Sequence, residues 1–225
     1  MKRIIYHGSD HIIRKPVFGA GKRNNDYGLG FYCTEYRELA MEWAVQQQID
    51  GVANCYQIEE SGLQILNLNT PAFTCLNWLE LLLCHRTFNL ATPVSKEAAR
   101  YLHQNFHVDT DDADVIIGYR ADDSYFTYAQ DFLNNGISCG QLADALQLGD
   151  LGLQYVVKSN RAFERLEYRG YEAAPADVWY PRKYLRDRNA RRRYYEMDVM
   201  TYIKNDLYMI QILDQEVQAD DPRIR

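Results

Sequence analysis

A histidine and a tyrosine, each at the end of a short apolar run, are the residues of this chain best suited to chemistry. His7 follows Lys2-Arg3-Ile4-Ile5-Tyr6 and opens the turn-like triplet His7-Gly8-Ser9. Tyr32 sits in Gly30-Phe31-Tyr32-Cys33-Thr34, directly after Tyr27-Gly28-Leu29. An imidazole donates or accepts a hydrogen bond, a glycine lets a ligand approach the backbone, and a tyrosine face binds an electron-poor ring. Between the two runs lies Gly19-Ala20-Gly21-Lys22-Arg23-Asn24-Asn25-Asp26. Its backbone N–H groups, with a charge from Lys22 or Arg23, suit a pyrophosphate. Together these residues suit a flat aromatic ligand that also carries hydroxyls and phosphates. Each also has a plainer reading: His7 as a capped strand-end histidine, the Gly19–Arg23 loop as a solvated connection, and Asp26 as an Asx-turn.

The His-Gly-Ser triplet followed by Gly30-Phe31-Tyr32 resembles the first two motifs of ADP-ribosyltransferases of the His-Tyr-Glu type, the diphtheria-toxin and poly(ADP-ribose)-polymerase branch. Over roughly residues 3 to 195 the chain is similar to an uncharacterised bacterial family placed in that superfamily. That wider similarity is carried by Asn25-Asp26-Tyr27-Gly28-Leu29-Gly30-Phe31-Tyr32-Cys33-Thr34-Glu35 and by Ile117-Gly118-Tyr119-Arg120-Ala121-Asp122-Asp123-Ser124-Tyr125-Phe126. The resemblance implies NAD as substrate. It implies that His7 bonds a ribose hydroxyl, that the Gly8 backbone grips the nicotinamide amide, that Ser9 adds a hydroxyl contact and that Tyr32 stacks on the nicotinamide ring. Arg23, Tyr27 and Gly30 complete the expected cofactor-binding set. Bond cleavage passes through a cation-like state on the ribose, so such a site must also offset positive charge.

The third motif departs from that pattern. A glutamate is expected before the Tyr155-Val156-Val157 run, and Gln154 stands there. An amide can hold a hydroxyl but brings no full negative charge, which could cost a few kcal/mol of transition-state stabilisation. Asp122 or Asp123, just after the Val115–Gly118 run, is the expected substitute. Asp123 is equally suited to cap the helix that follows, with Ser124 as its competitor. Asp26 and Glu35 are weaker candidates.

The elements that must position these residues follow from the patterning of the 225-residue chain. Strands are expected over Val52–Ile58, Leu63–Leu68, Val115–Gly118, Gln154–Lys158 and Phe163–Tyr168, the Val115 strand central in its sheet. Helices are expected over Glu35–Ile49, over Ala72–Arg86 with Thr70 as cap and Pro71 at its first position, and over Lys96–Phe106. Others are expected over Tyr125–Asn134, over Gln141–Gln147 ended by Gly149, and over Met197–Leu213, with the last six residues frayed. Strands and helices do not alternate regularly, which favours α+β: a small split, mostly antiparallel sheet, of ADP-ribosyltransferase type by resemblance, with inserted helices and a C-terminal helical extension. Gly28-x-Gly30 lacks the third glycine and the acidic residue of a Rossmann fingerprint. The expected domains are 1–175 and a helical extension, 176–225, packed on it.

Composition narrows the function. Hydrophobic content is 47%, charge 25% and net charge −6, as in ordinary globular proteins and against general nucleic-acid binding. Five cysteines without C-x-x-C spacing argue for reduced thiols in a cytoplasm and against zinc; Cys33 reads as a small core residue rather than a reactive thiol. No signal peptide and no apolar run long enough for a bilayer is visible, so no membrane partner is expected. One stretch runs against the acidic balance: Arg182 to Arg193 holds seven basic residues in twelve, with tyrosines nearby. It suits nucleic-acid phosphates, or else forms a solvated face paired with Asp187 and Glu196.

The expected activity is mono-ADP-ribosyl transfer by a bacterial toxin-like effector or modifier, onto a macromolecular acceptor that is protein or nucleic acid. The resemblance also implies an antitoxin protein as partner. The alternatives are a catalytically lapsed NAD or nucleotide-binding module and a nucleic-acid-directed transferase that uses the basic helix.

Overall fold

In the computed structural model, residues 1–120, 123–148, 151–197 and 201–224 are described, the side chains of Asp123 and Ser124 excepted. The chain divides into two units. The first comprises Met1–Asn67, Thr110–Arg120 and Leu151–Arg188; the second comprises Leu68–Asp109, Ala121–Asp150 and Asn189–Arg225.

The first unit holds two sheets. In one, β1 (Lys2–Ser9) pairs antiparallel with β3 (Gly51–Glu59), and β3 with β7 (Leu166–Ala174). In the other the order is β2 (Phe31–Cys33), β6 (Leu153–Val157), β5 (Val115–Tyr119), β4 (Ile65–Asn67), antiparallel except for β4 with β5. The fold is therefore α+β with two mostly antiparallel open sheets, and β5 is internal to its sheet as its continuous apolar run predicts. Tyr6 and Thr34 exchange backbone hydrogen bonds of 2.7 and 2.9 Å, an isolated bridge between β1 and the end of β2. Beyond it, residues 7–9 of β1 continue in register with β3.

Two apolar layers hold this unit. Ile5, Phe31, Cys33, Tyr56, Ile58, Val115, Tyr155 and Val157 form a core drawn from the inward faces of both sheets. Cys33 is fully enclosed there, and burial pushes its thiol well above the ordinary range, which fits a packing residue. The second layer packs helix α1 (Arg37–Ala44) on the β1–β3–β7 sheet through Ala40, Met41, Ala44, Ala53 and Ala174. Small residues let the helix backbone approach the strands. A Cβ on Gly8 would sit 2.1 Å from the Ala40 carbonyl oxygen, and one on Gly51 2.2 Å from that of Ala44.

The second unit contains α2 (Cys75–His85), α3 (Pro93–Asn105), α4 (Asp123–Leu133), α5 (Cys139–Ala145) and α8 (Met209–Asp214). The short α6 (Asn160–Phe163) belongs to the first unit, and α7 (Ala176–Glu196) contributes residues to both. Among the described residues no helix is long and apolar enough to cross a membrane.

Several local expectations are corrected. His7-Gly8-Ser9 is strand rather than turn, because each residue has a partner on β3. The helix expected from Glu35 to Ile49 stops at Ala44: Val45 is extended, and Gln46 and Ile49 pair across a turn with Gln48 at φ 63°. The next helix is capped by Thr74 rather than Thr70. Thr74 and Asn77 bond each other's backbone reciprocally, whereas Thr70 closes a separate turn onto Phe73. Phe163–Tyr168 splits between α6 and the start of β7. Of the segment expected as helix from Met197 to Leu213, residues 198–200 lie outside the described residues, 201–208 are not helical, and α8 begins at Met209. Asn205 sits at φ 71°, and the Tyr208 hydroxyl accepts the Ile203 N–H at 2.8 Å, both incompatible with a continuous helix there. The C-terminus is not loose at Ile224, which is buried, and Arg223 pairs with Asp221 at 2.6 Å. Gly149 lies outside the described residues.

Candidate functional site

The end of β1 and the short β2 bring His7 and Tyr32 together. The His7 Nδ1 lies 2.7 Å from the Tyr32 carbonyl oxygen, and its ring stacks on Phe31 with centroids 4.2 Å apart. A carbonyl only accepts, so Nδ1 carries the proton and Nε2 keeps its lone pair. Burial lowers the His7 pKa, partly opposed by the bond to Tyr32 and reinforced by nearby His11. The ring is thus a fixed, neutral acceptor at neutral pH.

The Tyr32 hydroxyl pins the preceding loop: it accepts the Tyr27 N–H at 3.0 Å and donates to the Gly28 carbonyl at 2.6 Å. Gly28 has φ 71°, a conformation that suits glycine. Tyr27 is itself buried, with its hydroxyl donating to the Tyr119 carbonyl at 2.5 Å, and Lys158 Nζ donates to the Tyr27 carbonyl at 2.8 Å. Tyr27 therefore anchors the loop. Gly30 is required by close packing, since a Cβ there would lie 2.6 Å from Val156 Cγ1. Gly8 faces α1, and Ser9 is engaged in both directions: its hydroxyl donates to the His11 carbonyl at 2.6 Å and accepts from Asn54 at 2.9 Å. Arg23 is exposed on the loop.

The β2–β6 pairing settles where Gln154 stands. Tyr32 lies opposite Val156, and Gln154 is two residues along β6, so Tyr32 and Gln154 share a sheet face. Gln154 is buried, and its Nε2 donates to Asp26 Oδ2 at 3.2 Å; its Oε1, also buried, has no hydrogen-bond partner among the described residues. Asp26 is buried as well. A carboxylate thus lies behind the Gln154 amide. Asp122 lies outside the described residues; Asp123 begins α4, and its side chain lies outside them too. Glu35 is drawn to Arg3 at 2.6 Å.

Sequence reasoning passed over Asn54. Its amide donates to Ser9 Oγ and the His11 carbonyl and accepts the Ile13 N–H at 2.9 Å, fixing the chain that leaves His7. A polar residue in an inward strand position is the signal that could have flagged it, although its partners, the His7 carbonyl among them, are 41 to 47 residues away. Asp26 is a minor carboxylate candidate by sequence, and nothing local connects it to a residue 128 positions on. Arg120, just past β5, lies over the Trp43 ring at 3.7 Å, a pairing with no sequence signal.

Much of the basic helix is occupied. Arg186 makes two bonds to buried Glu42, at 2.6 and 2.8 Å, Lys183 reaches the Val45 carbonyl at 3.2 Å, and Arg182 lies over Trp179 at 4.6 Å. Arg192 is 3.6 Å from Glu196, while Tyr194 is buried and stacked on Tyr128. Arg188, Arg192 and Arg193 are exposed.

Residues 3–168 match the family model described as a protein of unknown function (DUF3990), and the chain belongs to that family. No curated protein and no solved structure matches it.

Proposed function

We propose that this protein binds NAD at the seam between β1 and β2 and acts as a mono-ADP-ribosyltransferase on a macromolecular acceptor. The observation that carries the reading is the His7 ring, locked by the Tyr32 carbonyl with its other nitrogen free to accept. A ribose hydroxyl is a donor of the matching kind. The residues present fit such a ligand in a second respect: the unpartnered Gln154 Oε1 is a buried acceptor that a hydroxyl would satisfy. NAD supplies a nicotinamide–ribose bond whose cleavage delivers ADP-ribose to an acceptor.

In this reading His7 accepts a ribose hydroxyl proton, and Gln154, on the face it shares with Tyr32, accepts a second donor of the ligand. The Tyr32 ring offers a face to the nicotinamide, its hydroxyl already spent on holding the loop. Asp26 polarises the Gln154 amide, so the negative charge that the motif glutamate would carry stands one hydrogen bond further back. Arg23 and the glycine loop offer the pyrophosphate a cation and backbone N–H groups.

The replacement of the motif carboxylate by Gln154 favours a second reading, an NAD-binding module that has lost turnover. One experiment separates them. Nicotinamide release from NAD by the purified protein is measured beside His7→Ala, with NAD binding titrated in the same samples. Release that vanishes in the variant supports the transferase. Binding without release, lost in the variant, supports the module. No binding in the wild-type protein sinks both. Whether the acceptor is protein or nucleic acid is then tested by charge reversal at Arg192 and Arg193, which would abolish retention on RNA or DNA only in the second case.

A further inference from the structure

Helix α2 and the end of α3 each bring two potential metal-ligating residues, four apart in the sequence, to one place. On α2 the pair is Glu80 and Cys84; from α3 come His103 and, two residues past the helix end, His107. Three donors converge on one oxygen. His103 Nδ1 lies 2.9 Å, His107 Nδ1 3.1 Å and Cys84 Sγ 3.0 Å from Glu80 Oε1, and Cys84 Sγ is 3.9 Å from His103 Nδ1. The other oxygen, Oε2, is buried without a hydrogen-bond partner among the described residues.

We infer that Glu80, His103, His107 and Cys84 form a binding site for one divalent transition-metal ion of the zinc class. The donor set of two imidazoles, a carboxylate and a thiolate selects a borderline ion such as Zn²⁺ over Mg²⁺ or Ca²⁺, which prefer oxygen. Bond lengths of 2.0 to 2.3 Å in a tetrahedron place ligand atoms about 3.3–3.6 Å apart. The ligand atoms of Glu80, His103 and His107 all lie within 4.8 Å of one another, and Cys84 Sγ lies 3.0 Å from Glu80 Oε1 and 3.9 Å from His103 Nδ1. Access is open from one side, since the His103 and His107 side chains are 64% and 53% exposed while Glu80 is 0% exposed.

Binding requires proton movements that the exposed imidazoles can make through water. Each Nδ1–H that now donates to Oε1 is lost as the tautomer shifts to Nε2–H, and Cys84 gives its proton to solvent as the sulfur–metal bond forms. With four protein donors the site is closed, which suits a structural clamp tying α2 to α3 rather than a catalytic centre. The usable signal for such a site in the sequence is the histidine and glutamate spacing rather than cysteine pairs.

The test uses the full-length protein, stripped with chelator and titrated with Co²⁺ as a spectroscopic probe and with Zn²⁺ by calorimetry. One ion per chain is expected, with intense tetrahedral cobalt bands and a thiolate-to-cobalt charge-transfer band. His103→Ala with His107→Ala, at exposed positions that leave the fold intact by circular dichroism, should weaken binding at least ~100-fold, beyond what losing an outer-shell partner costs. Cys84→Ser should remove the charge-transfer band. Absence of saturable binding in the wild-type protein, or equal affinity in the double variant, would overturn the site. An unchanged spectrum in Cys84→Ser would overturn the donor set as assigned.

Discussion

His7 and the His103–His107 pair present the same side chain to two different partners. His7 is held by a backbone carbonyl against an aromatic ring, and burial lowers its pKa. His103 and His107 are exposed and converge on a carboxylate. Burial would push the Glu80 carboxyl up, but the Cys84 thiol and the two imidazoles outweigh it, leaving the pKa below its ordinary value. A carbonyl partner fixes the tautomer and leaves a neutral acceptor, which suits a hydroxylated ligand. A carboxylate partner gathers donors around one negative oxygen, which suits a cation. The partner, more than the imidazole, decides the chemistry.

Substitutions can break this contrast. The largest expected effect is His7→Ala, which should lower nicotinamide release at least ~100-fold, the scale of losing one group that holds the reacting centre. The same variant should leave Co²⁺ titration unchanged. Loss of both properties would mean that the two sites are not independent.

Gln154→Glu comes next. It places a second carboxylate beside Asp26, 3.2 Å from the present amide nitrogen, and should cost about 2 kcal/mol of stability in urea unfolding. Adding Asp26→Asn exchanges acid and amide and should restore most of that loss. Additive losses in the double variant would show that the two side chains are not coupled.

Tyr32→Phe should cost about 1 kcal/mol, because the Tyr27 N–H and the Gly28 carbonyl each lose a partner. Nicotinamide release should fall less than in His7→Ala, since the ring face remains. An equal fall would give the hydroxyl a direct part.

The smallest effect is on pH dependence. The folded pKa of His7 lies below its ordinary value of 6.5, so the unfolded chain takes up the proton first as pH falls. Above that value His7 contributes no pH dependence. Below it stability declines until the folded pKa is reached. His7→Asn should flatten this part of the urea-midpoint profile, and an unchanged slope would show that the ring is not held neutral.

Sequence patterning reached the elements whose cause is local. Alternation marked β3 and the continuous apolar run marked β5 as internal, while α3 begins at Pro93 rather than at the expected Lys96, because Thr92 and Ser95 cap it reciprocally. Patterning misplaced boundaries that distant contacts decide. α1 ends where Val45 turns extended and its carbonyl meets Lys183, 138 residues away. The cap of α2 moved to Thr74 because Asn77 could reciprocate.

By itself, the order of residues along the chain determined the α+β class, the placing of His7 and Tyr32 in or beside two short strands, and the absence of a glutamate at position 154. These are matters of residue type and short-range period, which backbone geometry converts directly into strand, turn and helix. Only the tertiary structure decided that Asp26 stands behind Gln154, that Asn54 holds the chain leaving His7, and that Glu80 meets His103 and His107. Those meetings join residues 23 to 128 positions apart. They exist because antiparallel pairing and helix packing bury polar groups together, and a buried polar group must find its partner wherever the fold brings one.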